Sequence, residues 1–121
     1  VVMNDFAEKY PDYVNKFVTA ECKGIDFWIE NPAETAQIIA TELGLALEDA
    51  ARMMKGTEMV PCAKQLTDQY IGTTEKNGQF VDTLIATSEF LFSQKRLPLV
   101  AERSVFEDFI DPSYLETVVQ Q

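Results

Sequence analysis

From Pro11 onward, apolar residues recur at three- and four-residue intervals. Val14, Phe17, Val18, Cys22, Ile25, Trp28 and Ile29 make one stripe, the pattern of a helix with one buried face. Pro11 suits the first helical position, where its missing N–H leaves nothing unsatisfied. Asn31-Pro32 stops this helix and opens a second. Asn31 is expected to cap, Pro32 to stand at N1 and Glu34 to complete a capping box. The second helix carries Ile38, Ile39 and Leu43, with Gly44 as a natural C′ residue. A third covers Leu47 to Lys55, with Glu48 and Asp49 near its positive end and Gly56 closing it. Val60-Pro61 begins a fourth, through Leu66, Tyr70 and Ile71 to Gly72.

The fifth helix has the strongest pattern: Phe80, Val81, Leu84, Ile85, Phe90 and Leu91, then Gln94, Lys95 and Arg96 at its negative end and Pro98 beyond. Leu97 to Ile110 lacks a clean period and reads as a loop with one short turn. Asp111-Pro112 opens a last helix through Tyr114, Leu115 and Val118. Val1-Val2-Met3 reads as a short strand. The expectation is one mostly α domain, residues 1–121, of five or six helices with at most a short N-terminal strand.

Composition narrows function more than fold. Twenty acidic against ten basic residues give a net charge of −10, which argues against nucleic-acid binding. No apolar run approaches the ~20 residues of a membrane helix. With no histidine, Ser-His-Asp and Cys-His catalysis and His-containing zinc sites are unavailable within the chain. No nucleophile motif stands in their place, so no enzyme, metal or cofactor is expected. Glu48-Asp49 and Glu107-Asp108 are adjacent acidic pairs. Neighbours on a helix point apart, so both read as solvated surface. Gly56-Thr57-Glu58 and Gly72-Thr73-Thr74 are too short for phosphate loops and read as helix ends. Trp28 and Phe90-Leu91 continue apolar stripes and read as core, whereas Phe27 and Phe92 fall off the stripes, facing a second body.

Cys22 and Cys62 leave two possibilities. Two separate buried thiols, behaving as small hydrophobes, are the simpler expectation. The alternative is a disulfide in an oxidising compartment, closing a loop long enough to contribute about 3–4 kcal/mol.

Five segments in order carry a resemblance. Asp5-Phe6-Ala7-Glu8-Lys9-Tyr10-Pro11-Asp12 resembles the D-F-A-E-K-x-P stretch, followed by an acid, of periplasmic solute-binding proteins serving taurine and alkanesulfonate ABC importers. The long helix ending in Asn31-Pro32, then Lys55-Gly56 with Gln65, are similar to later segments of that family. Ala86-Thr87-Ser88-Glu89-Phe90-Leu91 through Gln94-Lys95-Arg96-Leu97-Pro98 looks like its T-A-x-F-L-x-x-Q-G-x-I/V-P, with Arg96 taken to stand where glycine is usual. Asp108 to Tyr114 resembles its Y-V-D-P-x-F/Y, and Met3-Asn4 replace a common basic pair. The resemblance spans essentially the whole chain.

It implies the C-terminal part of a two-lobed α/β periplasmic-binding-protein fold. A first lobe with most of the sheet and ligand pocket would lie outside these residues. The implied function is capture of taurine, another small organosulfonate or a nitrate-like anion and delivery to an ABC permease, in the periplasm or another extracytoplasmic space. Met3, Asn4 and Asp5 would lie near the hinge and ligand. Exposed apolar surface would then favour self-association. A different class fits the composition too: an independent acidic helical domain that binds a partner through an apolar groove.

Overall fold

The computed structural model describes residues 1–120. Its described residues are helical with no sheet: α1 (Asn4–Lys9), α2 (Pro11–Glu30), α3 (Pro32–Leu43), α4 (Leu47–Lys55), the single turn α5 (Cys62–Gln65), α6 (Phe80–Ser93), α7 (Arg103–Phe109) and α8 (Ser113–Val119). The 20-residue α2 is the hub, packing against α1, α3 and α8, while α3 pairs with α4 and α6 with α7.

Helix junctions follow the proline and glycine signals. Pro11 and Pro32 both occupy first-turn positions. Gly44 takes the left-handed conformation (φ 63) that ends α3, and the Leu45 N–H donates to Ala40 O at 2.9 Å. The expected capping box at Asn31 does not form. Asn31 ends α2 as well as starting α3, and its Nδ2 donates back to Phe27 O at 3.3 Å. Its side chain therefore serves the outgoing carbonyl end of α2.

Four expectations change. Val1–Met3 is not a strand, because it has no strand to pair with; the chain enters the six-residue α1 directly. The fourth helix stops after one turn. Gln65 O accepts the Ile71 N–H at 2.9 Å, and Gln65 Nε2 donates to Val60 O at 2.8 Å, so the chain doubles back. Gly72 is therefore no helix end. It sits at φ 84 in a tight loop whose Gly78 N–H donates to Ile71 O, and a Cβ on Gly72 would lie 2.3 Å from both Gly78 N and Lys76 O. Within the expected loop 97–110, α7 forms. Arg103 anchors it, donating to Glu107 at 2.8 Å along the helix and to Asp82 of α6 at 2.7 Å. Both bonds hold the Arg103 guanidinium above its ordinary pKa, the Asp82 bond first.

The end of α6 also moves the glycine position. Lys95 is left-handed (φ 56), its N–H donates to Phe92 O at 2.9 Å, and the Arg96 N–H donates to Leu91 O at 2.9 Å. This is a Schellman closure with Lys95 at C′. The place that favours glycine is thus Lys95, one residue before Arg96.

The cysteines pair. Cys22 and Cys62 form a disulfide with Cα atoms 5.7 Å apart, so the expectation of two separate thiols is corrected. It bonds the middle of α2 to α5. The turn after Pro61 brings Cys62 to α2, a proximity that sequence distance does not reveal.

The core is small-sided. Val14, Cys22, Ala36, Ala40, Ala50, Val81 and Leu115 are buried, and Val81 alone of the larger side chains is fully enclosed. Ala36 and Ala40 of α3 and Ala50 of α4 let these neighbouring helices approach closely. Several bulky residues expected inside, Phe17, Ile29, Ile38, Leu43, Phe80 and Phe90, are exposed instead. The total accessible surface is 9013 Å² for 13.7 kDa, against about 6,600 Å² for a compact chain of that mass.

With so little enclosed volume, the disulfide should matter. Its 40-residue separation corresponds to about 4 kcal/mol of loop-closure stabilisation. Denaturant unfolding with and without reductant should show a loss of that size, and the denatured, non-reduced chain should have a mass two hydrogens below the reduced one. Lys95→Gly should relieve the left-handed penalty and stabilise the chain by about 1 kcal/mol in the same assay. No gain would show that Lys95 contacts offset the strain.

Candidate functional site

Two concavities meet at α1. The first is a polar cleft of about 630 Å³ between α1, the 72–78 loop and the α7–α8 junction. α8 builds one wall. Asp111 Oδ1 accepts the Ser113 N–H at 3.0 Å, which fixes the start of α8 by the Asp-Pro signal seen in the sequence. One turn later, Glu116 reaches the loop tip. Its carboxylate accepts the Thr74 N–H at 2.8 Å and the Thr74 hydroxyl at 3.0 Å. On the α1 side, the Tyr114 hydroxyl donates to Ala7 O at 3.4 Å. α8 therefore joins two segments far apart in sequence.

The cleft's charge is one-sided. Glu8, Glu107, Asp108 and Asp111 line it with the neutral side chains of Asn4, Thr73, Thr74 and Asn77, and no Lys or Arg is among the lining residues. Such a wall suits an ammonium or neutral hydrogen-bond donor. It supplies no cation for a sulfonate. No group of three or more acidic or cysteine side chains is placed to hold a metal ion among the described residues.

The second concavity, about 790 Å³, lies on the other side of Asn4 and is mostly apolar. Val2, Phe6, Tyr13, Val14, Phe17 and Leu115 are among its lining residues. A tilted aromatic row borders it: Phe6 and Tyr10 rings are 5.1 Å apart, and Tyr10 and Tyr13 rings 5.9 Å in an edge-on arrangement.

Of the three residues expected near a ligand, Asn4 alone lines the polar cleft. Met3 is exposed, and its carbonyl accepts the Ala7 N–H at 3.0 Å, starting α1. The Asp5 carboxylate accepts the neighbouring Phe6 N–H at 2.9 Å, a contact local to the first turn of α1. The structure therefore separates Asn4 from its neighbours. Thr74, Asn77, Glu116 and Tyr114 escaped the sequence reading as site residues because only the turn back at Gln65 brings the 72–78 loop to α8. Of the adjacent acidic pairs, Asp49 pairs with Arg52 and Glu107 with Arg103, as surface carboxylates do, while Asp108 borders both concavities.

The Glu116–Thr74 link ties to α8 the loop whose Thr73, Thr74 and Asn77 line the cleft. Glu116→Ala should raise hydrogen exchange at the Thr74 amide about fivefold, equivalent to about 1 kcal/mol, while the α2 amides stay protected. Equal acceleration in α2 would mean that Glu116 supports the whole fold. No family model matches the chain, and no curated protein or solved structure matches it.

Proposed function

We propose that this chain is the C-terminal portion of an extracytoplasmic solute-binding protein that delivers taurine or a related organosulfonate to an ABC permease. What supports this most is the order of its helix junctions. The segments carrying the family resemblance fall at the Tyr10-Pro11 and Asn31-Pro32 helix starts, the Gly56 end of α4, the Lys95 closure of α6 and the Asp111-Pro112 start of α8. These residues set chain direction, so the resemblance falls on positions that direct the path of the chain.

Two further observations favour the same function. The Cys22–Cys62 disulfide persists in an oxidising compartment and is rare in a reducing one. The polar cleft is lined by Glu8, Asp108 and Asp111 beside the Arg103-paired Glu107, and suits the ammonium end of an amino-sulfonate. The sulfonate would be held by hydrogen-bond donors on the other lobe, where helix N-termini supply backbone N–H groups. Transport of this kind makes and breaks no bond. The ligand bridges two lobes, the hinge closes, and the closed form is presented to the permease. Of the hinge-proximal residues Met3, Asn4 and Asp5, Asn4, which opens α1 and lines the cleft, is the one this reading assigns to the ligand side.

A second function has its own support. The apolar groove bounded by exposed aromatics fits an independent acidic helical domain that docks a partner.

Calorimetric titration of the whole gene product with taurine, alkanesulfonates and nitrate separates the two. Heat with an organosulfonate, weakened by Asn4→Ala, supports the importer component. No heat with any of them defeats it. Glu8→Gln should weaken taurine more than a sulfonate lacking the amine; an equal effect would remove the cleft from ammonium recognition.

A further inference from the structure

The end of α6 and the coil after it form the longest acid-free stretch of the chain, twelve residues from Phe90 to Ala101. The same stretch holds Lys95-Arg96, the only adjacent basic pair. All twenty acidic residues and the other eight basic ones lie elsewhere, so this is a cationic tip on an acidic chain. Its large apolar side chains are uncovered: Phe90 is 62% exposed, Phe92 49% and Leu99 63%. Phe92 and Leu97 line one shallow concavity together with Lys95 and Arg96. Neither cation has a carboxylate in salt-bridge range among the described residues. We propose that this tip docks on an anionic lipid bilayer, with Phe92, Leu97 and Leu99 at headgroup depth and Lys95 and Arg96 on the lipid phosphates.

Charge and composition select an anionic, apolar-backed occupant. No acidic residue lines the concavity. Bulky apolar side chains beside Lys and Arg are what interfacial segments carry: the rings enter the headgroup–acyl boundary while the cations meet anionic headgroups. No described helix is long and apolar enough to cross a membrane, so the contact is interfacial. The acidic remainder is repelled by headgroups of its own sign, which turns the tip toward the surface.

Shape separates a bilayer from other anions. The concavity is lined by residues 92–98 alone, with no wall from another element. It cannot enclose a small anion as a built pocket does, and two cations are too few for a nucleic-acid footprint. A specific protein interface draws on about 20–30 residues per side, more than this one stretch supplies. A fluid bilayer sets no such threshold.

The backbone of Lys95 points the same way. It is the one non-glycine residue with positive φ among the described residues, in a closure that favours glycine. Lysine there keeps, at a conformational cost, a charge that no carboxylate of the chain pairs with.

This inference does not rest on the transport function, since vesicle binding is read with no solute present. The whole gene product should co-sediment with phosphatidylcholine vesicles containing about one-third phosphatidylglycerol, and stay in solution with phosphatidylcholine alone. High salt should weaken the association. Lys95→Glu with Arg96→Glu should weaken it by at least about tenfold, and Phe92→Ser should weaken it with unchanged helical circular dichroism. Lys95→Gly separates function from folding: it should raise stability and still weaken vesicle binding about fivefold. Lys9→Glu with Lys16→Glu, an equal charge change on α1 and α2, should alter binding by less than about twofold. No binding to the anionic vesicles overturns the inference, as does equal binding to phosphatidylcholine alone or equal weakening by the Lys9 and Lys16 changes. Tighter binding through Lys95 and Arg96 to polyglutamate than to vesicles also overturns it, and makes the tip a site for an acidic polypeptide.

Discussion

The bond between Cys22 and Cys62 is the constraint on which the rest of this fold depends. Among the described residues it is the one covalent tie across the chain, and it joins the central helix to the single turn of α5. The 72–78 loop, the start of α6 and, through Glu116 and Thr74, the α8 contact are all placed downstream of that turn. A small buried set of Ala, Val, Leu and Cys supplies little apolar burial by itself. Without the bond, α5 would keep only its contact with α8 and local hydrogen bonds such as Gln65 to Val60.

The second organising feature is an inversion of size. On α3 the enclosed residues are Thr35, Ala36 and Ala40, while Ile38 and Leu43 face outward. On α6 Val81 is enclosed and Phe80 and Phe90 are not. Small side chains let helices approach, and the large ones are left as surface. A fold built this way has much to gain from another body, whether a second lobe or a second copy.

Much of the helical plan was legible because its signals are local. Pro11, Pro32 and Gly44 act within a turn of where they stand, and the observed boundaries of α2 and α3 follow them. Short elements were not legible. α1 and α7 have too few residues for a period to show, and α7 depends on Arg103 reaching Asp82 in α6. The candidate site was less legible still. Of Met3, Asn4 and Asp5, expected together near a ligand, only Asn4 lines the cleft, and the Thr74, Asn77 and Tyr114 that line it too come from distant segments.

The sequence by itself determined the helical class, the junctions, the acidity and the exclusion of histidine chemistry, since each is a property of composition or of neighbours along the chain. Tertiary structure alone decided that Cys22 meets Cys62, that Lys95 takes the left-handed turn, and which face of each amphipathic helix is covered. A helical period states that one face is apolar. Only the placement of other segments determines whether anything in the chain covers it.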